Sequence, residues 1–73
     1  MRIEESNEPV SKNIKRIIEE KGLKQIAVAN KAGYGENMFN SMLKGRKLIK
    51  ACDIGKISRA LEVEPNELFQ TVD

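Results

Sequence analysis

The sequence predicts an all-α fold, a compact bundle of five short helices, and three observations carry that expectation. Apolar residues recur at three- and four-residue intervals in several separate runs, as they do along one buried face of a helix. Glycine or proline stands between the runs, where helices stop or start. No stretch of alternating apolar and polar residues, the pattern of a half-buried strand, competes with them. The 73 residues make one domain, and a chain of that length buries only about 60% of the surface its unfolded form exposes. Its core is therefore thin, and a partner chain would add to it.

Residues 1–10 are largely polar and include Glu4, Glu5, Glu8 and Pro9, which reads as a flexible N-terminal arm ahead of a domain spanning 11–73. Ser11 is placed to cap the first helix. Val10, Ile14, Ile17 and Ile18 share one face while Lys12, Lys15, Arg16, Glu19 and Glu20 take the other, predicting a helix over about Lys12 to Lys21 that ends at Gly22. Leu23 is expected to pack beneath the start of the second helix. Two short helices and a tight turn follow: Ile26, Val28, Ala29 and Ala32 mark one, Met38, Phe39, Met42 and Leu43 the other, and Gly33 separates them. Helices that cross closely need a small side chain at the crossing, which Ala29 supplies. Arg46-Lys47-Leu48-Ile49-Lys50 reads as a loop anchored by Leu48 and Ile49. In the fourth helix Ala51, Ile54, Ile57, Ser58 and Leu61 form a stripe, with Asp53, Lys56 and Arg59 expected to face water. Gly55 should cost that helix about 1 kcal/mol relative to alanine. Glu64-Pro65 marks a break, after which a short fifth helix over about Pro65 to Gln70 would close the core with Leu68 and Phe69.

Composition excludes several classes of function. Hydrophobic residues at 40% and charged residues at 33% describe a globular chain. The few aromatic residues, Tyr34, Phe39 and Phe69, argue against RNA or single-strand binding by base stacking. Histidine is absent and Cys52 stands alone, so neither an internal disulfide framework nor a Cys/His metal site is expected, and Cys52 reads as a small, half-buried packing residue. No catalytic constellation and no cofactor motif is present, so an enzyme is not expected. The N-terminus lacks a signal-peptide pattern, and no apolar run approaches the ~20 residues of a membrane span, which fits a cytoplasmic protein with no membrane partner. The net charge of +2 is unevenly sorted. Lys24, Lys31, Lys44, Arg46, Lys47 and Lys50 face a single acid, Glu36, between positions 24 and 50; from position 62 onward Glu62, Glu64, Glu67 and Asp73 face no base. A basic field is thus concentrated where a polyanion could use it.

The stretch Gln25 to Gly45 resembles the helix-turn-helix of Cro and the phage repressors, the xenobiotic-response-element family. A Gln opening the second helix, an apolar-Ala pair, a Gly in the turn, an apolar pair in the recognition helix and a closing Gly fall on Gln25, Val28-Ala29, Gly33, Phe39 with Met42, and Gly45. Downstream, Ile57, Ala60-Leu61, Val63 and Glu67-Leu68-Phe69 continue the match, which covers about residues 11 to 70. The chain departs from the family at Leu43, where an acid is usual, at Lys24, where Ser or Thr caps the second helix, and at Gly55, where Leu is usual.

The resemblance implies a lambda-repressor-like bundle with the helix-turn-helix at helices 2 and 3. It implies a bacterial or phage-encoded, nucleoid-associated repressor or phage-type switch protein that reads the major groove with its third helix. Carried onto this sequence, the base-reading positions are Gly35, Glu36, Asn37, Met38, Asn40 and Ser41. Asn pairs bidentately with adenine, Glu accepts from the cytosine amino group, Ser bonds either way, and Met38 can touch a thymine methyl. Phosphate contacts fall on Gln25, Lys44, Arg46 and Lys47. A single motif of this kind reads few base pairs, so a homodimer on a near-palindromic operator is expected, with the region of the fourth and fifth helices, Leu43 or Phe69 as its surface. No small-molecule effector is evident. The alternative is a protein-interaction module that keeps the fold without base reading and uses Met38 and Leu43 toward a protein partner.

Overall fold

Four α-helices and one 3-10 helix make up the described residues, 7–71, of the computed structural model. They are α1 (Val10–Glu20), α2 (Gln25–Ala32), α3 (Glu36–Leu43), α4 (Ala51–Leu61) and the 3-10 helix Pro65–Phe69. The all-α expectation holds, with the fifth element a 3-10 rather than an α-helix. α4 packs on α2, the 3-10 helix bridges α1 and α4, and α3 lies against both α1 and α2.

α1 starts two residues earlier than the pattern predicts. Pro9 takes the N-cap position and its carbonyl receives the Asn13 N–H at 3.0 Å, which places Ser11 inside the helix and buried instead of capping it. Of the arm expected over residues 1–10, positions 1–6 lie outside the described residues. The remainder is held: Val10 joins the core, and Asn7 is 1% exposed with its side chain bonded to backbone at the far end of α3.

α2 buries Val28, Ala29 and Ala32. Ile26 falls outside that stripe and is exposed, as is Leu23, which does not pack beneath the helix start. The helix ends at Gly33 with φ 90°, where the Tyr34 N–H returns to the Ala29 carbonyl at 2.8 Å. Open space surrounds the position a Cβ would take there, so glycine is required by conformation and not by crowding. Ala29 is fully buried at the crossing, and α3 contributes Phe39, Met42 and Leu43 to the same core.

Two elements differ instructively from expectation. Asp53, expected to face water, is buried. One carboxylate oxygen accepts the Lys50 backbone N–H at 2.8 Å, closing the first turn of α4, and the other accepts the Tyr34 hydroxyl. Tyr34 in turn stacks on Phe39 with ring centroids 6.1 Å apart, and Lys56 lies over its ring. At the other end of the chain Leu68 enters the core but Phe69 remains 54% exposed. Neighbouring side chains of a 3-10 helix point about 120° apart, and here it is Leu68 that turns inward and Phe69 that faces outward. Asn13 fixes this segment by donating to the carbonyls of Leu68 at 2.8 Å and Gln70 at 2.7 Å.

Burial raises the proton affinity of both partners in the Tyr34–Asp53 pair. For Tyr34, burial first and then the bond to Asp53 push the phenol above its ordinary range. For Asp53, burial is outweighed by the bonds from Tyr34 and the Lys50 N–H and by the charges of Lys56 and Lys50, so its carboxyl sits below the ordinary carboxylate range.

Two predictions follow from this packing. In the interior of α4, Gly55 has open space at its Cβ position and no positive φ, so Gly55→Ala should stabilise the protein by about 1 kcal/mol, read as a raised thermal midpoint. Asp53 binds a proton less readily folded than unfolded. Its contribution is therefore complete above the unfolded aspartate pKa of about 4 and is lost as the pH falls through the lower folded value. The midpoint advantage of wild type over Asp53→Asn should be constant above about pH 5 and shrink as the pH falls below about 4, and a gap independent of pH would contradict the assignment.

Candidate nucleic-acid interface

The turn geometry decides which side of α3 is available. Phe39, Met42 and Leu43 hold one face against the core, so Asn37, Ser41 and Lys44, spaced by four and three residues, lie on the opposite side. Asn37 is exposed there and Ser41 is half-buried. Glu36, Met38 and Asn40 flank this stripe. Met38 is 39% exposed, and Asn40 is half-buried because its side-chain oxygen accepts the Gln25 amide at 3.2 Å. That bond joins the start of α2 to the middle of α3, so a residue assigned to phosphate and one assigned to bases are held as a pair. Gly35 caps α3 without a side-chain bond, and Glu36 occupies the first turn, where the helix dipole favours a carboxylate.

Lys44, Arg46 and Lys47 are exposed on the loop that leaves α3. Among the described residues none of them is in an ion pair, whereas Lys12, Arg16 and Lys31 are. Gly45 turns the chain with φ 78°, and the Arg46 and Lys47 N–H groups both return to the Ser41 carbonyl at 2.8 and 3.2 Å. The loop is thus folded back on the end of α3. Ile49 packs against the core, but Leu48 is exposed and anchors nothing.

The structure brings the candidate residues onto one continuous run of α2 start, α3 outer face and following loop. It removes Leu43 from any surface role, since that residue is 3% exposed within the core. Cys52 is exposed near the start of α4, not half-buried. The sequence reading missed Asn7, Tyr34 and Asp53. The spacing of Lys50 and Asp53 is that of a capping box, but a lysine in the cap position hides the signal. Nothing in the sequence marks Asn7.

Among the described residues no helix is long and apolar enough to cross a membrane. No curated protein shows significant similarity to the chain. Among solved structures, the restriction-modification controller protein C.AhdI from Aeromonas hydrophila is similar with a TM-score of 0.76 and 27% identity, covering 82% of this chain and 91% of that one. Residues 13–73 match the family of Cro/C1-type HTH DNA-binding domains. With the turn at Gly33, the crossing at Ala29 and the outward face of α3 in place, the chain belongs to the Cro/C1-type helix-turn-helix family of DNA-binding domains.

Proposed function

We propose that this DNA-binding regulator recognises a specific duplex sequence as a homodimer on a near-palindromic operator, with α3 in the major groove. The observation that carries the reading is the division of chemistry along one surface. Neutral and acidic hydrogen-bonding side chains occupy the outer face of α3, and the loop beside it carries cations that are in no ion pair among the described residues. Asn37 and Ser41 serve base edges, with Glu36, Met38 and Asn40 at their margins. Gln25, Lys44, Arg46 and Lys47 serve phosphates and set the register. The likeness to a controller protein supports a role in transcription control. The interaction-module alternative loses one of its two residues, because Leu43 is buried.

Among the described residues Phe69 is the large apolar side chain that the fold leaves most open, and it stands in the region expected to pair two copies. Sedimentation at micromolar concentration should show a dimer in wild type, and Phe69→Ala should shift it toward monomer. A strict monomer with and without duplex would overturn the dimeric reading.

Base and phosphate roles separate by salt. Neutralising Lys44, Arg46 or Lys47 should flatten the slope of log K against log salt by roughly 0.9 each and weaken specific and random duplexes alike. Asn37→Ala should cost about 1 to 3 kcal/mol on a duplex selected from random sequence and far less on random DNA, with the slope nearly unchanged. Titrations of these variants at several salt concentrations test this, and no preference for any selected duplex would end the sequence-specific reading.

A further inference from the structure

The loop from Lys44 to Lys50 carries all three cations assigned to phosphate, yet it belongs to no helix. Phosphates on a duplex have fixed spacing, so cations on such a loop serve only if its backbone is fixed as well. The side chain that fixes it comes from far away in sequence. The Asn7 amide nitrogen donates to the Met42 carbonyl at the end of α3 and to the Lys47 carbonyl within the loop, each at 2.9 Å. The Asn7 side-chain oxygen accepts the Ile49 N–H, also at 2.9 Å. Both donors and the acceptor of the amide are thus used. The three bonds span the last turn of α3, the middle of the basic loop and the residue that returns the loop to the core.

We propose that Asn7 is a positioning residue of the DNA interface, holding the Lys44–Ile49 loop in register with α3 so that Lys44, Arg46 and Lys47 meet phosphates together. The inference rests on the duplex-binding reading above. No other side chain reproduces the pattern at this length: aspartate keeps the acceptor for Ile49 but has no donor for the two carbonyls, and its charge faces them unfavourably.

Asn13 supplies the control. It too is a buried asparagine that donates to two backbone carbonyls, but those belong to Leu68 and Gln70, away from the basic loop. Wild type, Asn7→Ala, Asn7→Asp and Asn13→Ala are titrated with a random-sequence duplex over a range of salt, at a temperature where each is folded by circular dichroism. Both Asn7 variants should flatten the salt slope by roughly 0.9 for each phosphate that the loop no longer reaches, whereas Asn13→Ala keeps the wild-type slope despite its lower thermal midpoint. A folded Asn7→Ala with wild-type slope and affinity overturns the proposal, and so does an equal flattening in Asn13→Ala. Amide exchange in the wild-type protein tests the clamp without DNA or substitution: Ile49 should exchange as slowly as the amides of α3, and exchange at the rate of an open loop overturns the proposal. If wild type shows no salt-dependent duplex binding, the DNA reading fails while the exchange result still decides whether the clamp exists.

Discussion

The bond between the Tyr34 hydroxyl and Asp53 joins the two halves of the molecule at the point where their relative position matters most. Tyr34 lies in the turn between α2 and α3, so whatever holds it also sets the angle at which α3 leaves α2. Asp53 lies in the first turn of α4 and spends its second oxygen on the Lys50 N–H, which defines where the basic loop ends and α4 begins. One carboxylate thereby fixes the turn that aims α3 and the far anchor of the loop beside it. Breaking a buried pair of this kind costs more than its net contribution, because the partner left behind is unsatisfied, at about 1 to 3 kcal/mol. In a domain with a thin core that is a substantial fraction of the whole.

The same device recurs. Asn7 ties the segment before α1 to the end of α3 and its loop; Asn13 ties α1 to the 3-10 helix. Each links positions far apart in sequence through backbone carbonyls, groups that the ends of helices leave without partners. A small domain cannot hold loops and short helices by apolar burial alone. These buried polar side chains supply directionality that Ile14, Phe39, Met42 and Ile57, all fully buried, do not, because apolar contacts are close to isotropic whereas an amide with its donors and acceptor filled admits one backbone arrangement.

Much of the fold was legible in the sequence because it depends on period and punctuation. Val28, Ala29, Gly33, Phe39 and Met42 occupy the places their spacing predicts, since a helical stripe and a positive-φ turn are local properties. What was illegible depends on contacts between distant residues or on which of two adjacent apolar residues turns inward. Asp53 looked solvated because a charged residue opposite an apolar stripe usually is, and only the three-dimensional approach of Tyr34 makes burial favourable. Phe69 reads as a core residue because a large aromatic beside Leu68 usually is, whereas the chain turns Leu68 inward and leaves Phe69 exposed. Of the candidate interface, the residues named from the motif lie on one run of surface, but the Gln25–Asn40 bond and the Asn7 bonds leave no trace in the sequence, since no periodicity relates residues 15 to 42 positions apart.

The distribution of charge along this surface constrains how such an interface can work. From Glu36 to Leu43 there is no cation, so the helix proposed to enter the groove brings hydrogen-bonding groups and one negative charge, and contributes little to nonspecific attraction. On the proposed reading attraction comes from Lys44, Arg46 and Lys47 on the loop, while Gln25 at the start of α2 adds a neutral hydrogen bond, and none of these reads sequence. On that reading affinity and discrimination are carried by different segments, and they cooperate only if the segments are rigidly connected. A loose loop would still attract duplex DNA, but it would not present α3 in a fixed register, and the difference between one base and another would be averaged away. On the proposed reading, the buried polar bonds at Gln25–Asn40, Tyr34–Asp53 and Asn7 therefore convert a general affinity for phosphate into selection of sequence.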